Sequence, residues 1–257
     1  MSLRKDLSKN SRYLFVAILL VAILGIAIFG SSFLNVNLQE NGDILFQTST
    51  MNALFKGEYD GFATYKELKK HGDFGLGTFD ALDGEMIGLD GKFYQIKVDG
   101  IAYSVDDLME TPFAQVTFFE IDKVVLLNDS LNYTQLKHYL NDLLPTENMI
   151  YAFKIEGSFD YIKTRSIPKQ NKPYPPLVEV LKNQTIFEFH HISGTIVGFW
   201  FPEYMEGVSA SGYHFHFITE DRISGGHLLE CRLQNVSIEI DYTTEFHMVL
   251  PEPTSML

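Results

Sequence analysis

The sequence predicts an α+β fold: two sheet-containing halves with a few helices, preceded by an N-terminal hydrophobic helix. Three observations carry this prediction. Short β-like runs recur from residue 43 onward, many alternating apolar and polar residues with the period of half-buried strands. Helical signals are confined to residues 64–72, 130–144 and 177–183. Residues 13–30 carry no charge and consist almost entirely of Leu, Ile, Val, Ala and Phe. The boundaries expected are 1–30 for the leader, 31–150 for an N-terminal α/β half and 151–257 for a sheet-rich C-terminal half.

The leader comes first. Arg4, Lys5, Lys9 and Arg12 stand before the apolar run, the arrangement of a signal anchor or secretory signal. The run is about long enough to cross a hydrocarbon core of roughly 30 Å. It also exceeds the ~7–15 apolar residues of a typical cleaved signal. The best cleavage site, Gly30-Ser31-Ser32, is poor. An uncleaved anchor is therefore expected, with a cleaved secretory signal as the alternative. Either places the remaining chain outside the cytoplasm, and an uncleaved anchor keeps it on the membrane through its N-terminal segment.

Downstream, Thr64 and Glu67 form a capping box, lysines fill the last turn and Gly72 ends the helix. Residues 75–78 enter a loop that reaches Glu85. Strands follow at 92–98, 113–120 and 124–127. The helix at 130–144 carries Leu136, Tyr139, Leu140, Leu143 and Leu144 on one stripe, and Pro145 stops it. Strands at 151–158 and 159–165 precede a proline-rich elbow and a short helix at 177–183. Further strands are expected at 185–190, 194–201, 213–219, 227–234 and 237–240.

Composition removes several classes of function. The net charge is −13, and the leader contributes four basic residues and one acid, so the remainder is more acidic still. Such a surface repels phosphate backbones, and no nucleic-acid partner is expected. The single cysteine, Cys231, excludes an intrachain disulfide and any multi-cysteine metal cluster. No glycine-rich phosphate loop appears, which leaves a nucleotide cofactor without support.

The eight histidines are the remaining pool of nitrogen ligands. On an extended strand His214 and His216 project to one face, and Phe215 and Phe217 to the other. A hairpin centred between Asp221 and Arg222 sets His227 directly opposite His216. Directly opposed Cβ atoms lie about 4.5–5.5 Å apart, close enough for three imidazoles to meet at one ion. Gly225 and Gly226 leave room for a bulge that would shift this register. A metal site on the C-terminal sheet is thus expected, with Zn2+ as the ion and a fourth position open to a small-molecule substrate. His190 and His191 are adjacent and point to opposite faces, and His71, His138 and His247 lack companions. All five are read as structural. Glu85 and Arg165 are candidate proton-managing groups that composition alone does not distinguish from a turn acid and a surface cation.

From about Leu45 to Pro251 the chain resembles bacterial α-acetolactate decarboxylases. The matching blocks are FQTSTMNAL (46–54), GDFGLGT (72–78), LDGEM (82–86), PKQ (168–170) with PYP (173–175), FHFITED (215–221) and SGGH (224–227). The resemblance implies conversion of (S)-2-acetolactate to (R)-acetoin and carbon dioxide through a metal-stabilised enediolate. It also implies a two-domain α/β fold, metal ligands at His214, His216 and His227, active-site positions at Glu85 and Arg165, and a homodimer. Thr78 lies within the matching glycine-rich loop. A glutamate on the family's extended C-terminal tail has no counterpart assigned here; Glu252 is the only acid near the end.

Two other readings of the same residues stay open. The spacing His214-x-His216-x3-Glu220 copies a cupin's first motif, although no second motif follows. A non-enzymatic, anchored binding module would use a structural metal or none.

Overall fold

The computed structural model describes residues 43–252. The hydrophobic helix expected over residues 1–30, with its anchor or signal role, lies outside them. No helix among the described residues is long and apolar enough to cross a membrane.

Two sheets and a few short helices make up the described chain, mostly β structure as expected. The first sheet has seven strands: β1 (Ile44–Thr48), β3 (Phe74–Thr78), β4 (Glu85–Leu89), β5 (Lys92–Ile96), β6 (Ala102–Ser104), β8 (Ala114–Thr117) and β14 (Glu245–Val249), in the order β14-β1-β8-β3-β4-β5-β6. Only the β1–β14 pair is parallel. A small ribbon, β2 (Ala63–Thr64) with β7 (Glu110–Thr111), flanks it. The second sheet orders β10 (Ile150–Ser166), β11 (Thr185–Phe201), β12 (Gly212–Thr219), β13 (Gly225–Thr243) and β9 (Lys123–Leu127). Because β10 also pairs with β13, the ladder from β10 through β13 closes on itself, and β9 attaches outside it.

Sheet membership crosses residue 150 in both directions: β9 joins the second sheet and β14 edges the first. Residues 75–78, expected as a loop, are the buried end of β3. A Cβ at Gly75 would lie 2.1 Å from the Gln115 carbonyl oxygen, and one at Gly77 2.5 Å from that of Phe113. Glycine here lets β8 approach the backbone closely and is not a sign of irregular chain. Breaks expected after residues 158, 190 and 234 are absent as chain breaks. They are bends within single strands: β10 and β13 shift register between Ser158 and Phe159, and Gly157 has φ +150°.

Alternation sorts the residues of β12. Phe215 and Phe217 pack with Phe153, Phe159, Ile196 and Leu228 inside the closed ladder, where Leu136 and Leu140 of the helix Tyr133–Leu143 also lie. That helix starts at a capping box made by Asn132 and Gln135. Ile218, on the opposite face, packs with Leu76 and Ile87 of the seven-stranded sheet. The face that carries His214 and His216 is thereby turned toward the other sheet.

Candidate metal centre

The hairpin of β12 and β13 places its three histidines together. Ile218 pairs with Gly225, Phe217 with Gly226 and His216 with His227, the register centred between Asp221 and Arg222. Ring centroids lie 5.3 Å apart for His214–His216 and 5.1 Å for each pair that includes His227. One nitrogen from each ring lies within 4.8 Å of the other two, so the group can hold a metal ion. His227 Nδ1 and His216 Nε2 are 3.3 Å apart.

Second contacts orient these rings. His216 Nδ1 lies 2.8 Å from the Met86 carbonyl oxygen, to which it donates its proton. The lone pair of Nε2 is thereby left facing the other two imidazoles. His214 Nδ1 is buried without a hydrogen-bond partner among the described residues, an atom whose desolvation a cation would offset. Burial lowers the basicity of all three rings. His214 falls to about 3, and His216 and His227 fall well below the usual imidazole range, with the Arg165 guanidinium adding to the effect. At neutral pH each ring is uncharged, the form that ligates a metal.

Glu85 opens β4 opposite this group, 5% exposed, with Oε2 3.7 Å from His216 Nε2. That distance is too long for a hydrogen bond, and with a neutral ring the pair is not a salt bridge. Burial raises the Glu85 carboxyl to about 7, an effect that Arg165 partly offsets. Arg165 projects from the end of β10, whose backbone pairs it with His227. Glu85 Oε1 and Arg165 Nη1 are both buried without a hydrogen-bond partner among the described residues.

All five predicted side chains border one cavity of about 220 Å³. Thr78, Glu85, Arg165 and the three imidazoles form its polar side; Met51, Leu54, Leu82, Phe113, Ile167 and Leu177 line the apolar side. Most of that apolar side belongs to one hydrophobic cluster, built where the helices Met51–Phe55 and Leu177–Val180 pack together. A largely apolar cavity with a few convergent polar groups is the ordinary form of a small-molecule site. Glu220 is not part of it: the residue sits exposed at the hairpin turn, its amide donating to the Ser193 carbonyl. His71 stacks on Phe46, away from the three-histidine group. The Met86 carbonyl and the apolar wall escaped the sequence reading. A backbone acceptor leaves no signature in residue identity, and the wall combines residues more than a hundred positions apart.

Fold and site define a sheet-built protein whose three neutral imidazoles can hold a metal beside a carboxyl and a guanidinium. Comparison with known proteins agrees with this class and narrows it. Residues 45–256 match the family model described as alpha-acetolactate decarboxylase. The alpha-acetolactate decarboxylase of Methanosarcina mazei is 51% identical over 209 residues, covering 81% of this chain and 73% of that protein. That of Methylococcus capsulatus is 49% identical, covering 81% of this chain and 80% of its own. The crystal structure of alpha-acetolactate decarboxylase from Bacillus subtilis strain 168 superposes with a TM-score of 0.80 at 42% identity, over 81% of this chain and 89% of that one. The chain belongs to the alpha-acetolactate decarboxylase family, and so to the carboxy-lyases.

Proposed function

We propose that the protein decarboxylates (S)-2-acetolactate to (R)-acetoin and carbon dioxide, with zinc held by His214, His216 and His227. The observation that carries this reading is the convergence on one cavity of three neutral imidazoles, a carboxyl that titrates near neutrality and a guanidinium whose Nη1 has no partner among the described residues. The donor set fits a metal: three neutral imidazoles, with His214 Nδ1 buried and unpartnered, and no carboxylate joining the group among the described residues. When bound, the ion supplies Lewis-acid charge for the oxygens of a keto-alcohol as negative charge develops on them.

The protein's own groups do the rest. Arg165 presents a guanidinium whose Nη1 has no partner among the described residues, placed to pair with the substrate carboxylate or an oxygen beside it. Departure of carbon dioxide leaves an electron pair at the carbon that bore it, delocalised as an enediolate. Glu85, whose carboxyl keeps its proton into the neutral range, delivers that proton to one face of the carbon and regains it from solvent. The apolar wall, with Leu54, Leu82 and Leu177, receives the substrate's methyl groups and keeps bulk water from the carbanionic carbon.

Two further parts of the proposal concern the whole chain. The leader at residues 1–30 anchors the enzyme with its catalytic portion outside the cytoplasm, and two copies form a homodimer. Mass analysis of the native N-terminus and sedimentation of the purified chain test these. Incubating purified protein with racemic 2-acetolactate and resolving acetoin on a chiral column tests the activity. (R)-acetoin with half the substrate consumed rapidly is expected, and absence of acetoin overturns the proposal.

A further inference from the structure

We infer that Ser166 is a positioning residue that sets where Arg165 stands relative to Glu85 across the cavity. The inference rests on the proposed roles of those two groups, which reach the cavity from different sheets: Glu85 begins β4 in the first, and Arg165 is the penultimate residue of β10 in the second. Something must set their separation, because catalytic geometry tolerates little drift.

Besides the His216–Met86 bond, two hydrogen bonds tie the segment around and after Arg165 to the first sheet and the turn that feeds it. Ser166, fully buried, donates from Oγ to the Ile96 carbonyl oxygen at 2.7 Å. Ile96 is the cross-strand partner of Glu85 in the β4–β5 ladder. Four residues later, the Gln170 amide donates to the Ala81 carbonyl oxygen at 2.7 Å. Ala81 lies in the turn at residues 79–84 that delivers the chain into Glu85. The segment that follows Arg165 therefore grips Glu85 from both directions, through its ladder partner and through the turn before it.

That turn is a strained one. Ala81 has φ 57° and ψ 28°, and Leu82 has φ 55°, both left-handed and neither glycine. Such residues persist only where surrounding contacts over-determine them. The contacts are present: the Ala81 amide donates to the Tyr59 carbonyl at 2.8 Å, Thr78 Oγ1 donates to the Gly84 carbonyl at 2.7 Å, and Gln95 Nε2 donates to the Asp83 carbonyl. A turn held this firmly has one position relative to the β10 end. Of these two bonds only that of Ser166 uses a side chain, so only it is open to clean substitution.

The test is Ser166→Ala, which removes the hydroxyl and adds nothing. In the metal-loaded enzyme kcat should fall about tenfold with KM within about twofold of the parent, and metal content should be unchanged. The enantiomeric excess of acetoin should fall as well, because a displaced Glu85 no longer commits its proton to one face. Amide hydrogen exchange should accelerate together at β4 and at residues 165–170. Unchanged kcat and product configuration overturn the inference, as does a fall in melting temperature alone. Were the parent enzyme inactive on 2-acetolactate, the functional proposal would fall, and the exchange experiment would still decide on the tether: unchanged protection at β4 rejects it.

Discussion

Replacing Glu85 by glutamine separates two consequences of burying its carboxyl. Burial lifts that group from its ordinary 4.5 to about 7, and only 5% of the residue is exposed. In the folded protein the proton is therefore held to higher pH than in the unfolded chain. The sign follows: no penalty exists below the unfolded value, one accrues as pH rises through the window, and it is complete above the folded value. At about 1.4 kcal/mol per pH unit the full penalty is roughly 3–4 kcal/mol. Glutamine never ionises but keeps an amide with few partners, which returns on the order of 1 kcal/mol of that gain. Urea unfolding of chelator-treated protein at pH 5 and pH 8 measures the difference between variant and parent. The amide's cost is the same at both pH values, so relative to the parent the variant should gain roughly 2–3 kcal/mol on going from the lower pH to the higher. Its turnover with metal restored should fall about 10²–10⁴-fold, the usual worth of a positioned proton donor. A stability difference that does not change with pH would refute the burial argument. Full activity would remove Glu85 from the chemistry.

Two further substitutions probe the frame of the site. Gly226 has φ +140°, and a Cβ there would lie 2.4 Å from the Arg165 carbonyl oxygen. Gly226→Ala should therefore displace His227 next to it and weaken metal binding about tenfold or more, read by competition with a chelating dye. Asp241 is fully buried with Oδ1 unpartnered among the described residues, and burial, with Asp122, Asp43 and Glu120 nearby, raises it to about 8. A carboxyl raised in the folded state loses stability as pH climbs, so Asp241→Asn should stabilise the protein by at least about 1 kcal/mol at pH 8 and by little at pH 4, followed by urea melts.

The hairpin was legible because its information is local. Strand period and a turn centre at residues 221–222 suffice to oppose His216 and His227, and the glycines at 225 and 226 shift nothing. Glu85 and Arg165 were candidates that composition alone could not lift above a turn acid and a surface cation, and the family resemblance singled them out, since a buried carboxyl and a surface one look alike in sequence. What stayed illegible was non-local. Residue identity does not show that β14 returns to lie parallel with β1 some two hundred residues earlier, or that β10 pairs on both edges. Gly75 and Gly77 suggested a loop because their use, admitting the β8 backbone, depends on a neighbour known only after folding. The cupin reading failed on the same ground: Glu220 keeps the motif's spacing but sits at the exposed end of the hairpin.

The central claim is that His214, His216 and His227 hold the metal on which turnover depends, and one titration tests it. Purified protein is stripped with chelator and zinc is returned in steps, while bound metal and acetoin formation are followed together. Activity should rise linearly to a plateau at one zinc per chain, and His216→Ala should show neither tight binding nor turnover. Full activity in the stripped protein, or unimpaired zinc binding in the histidine variant, would contradict the account.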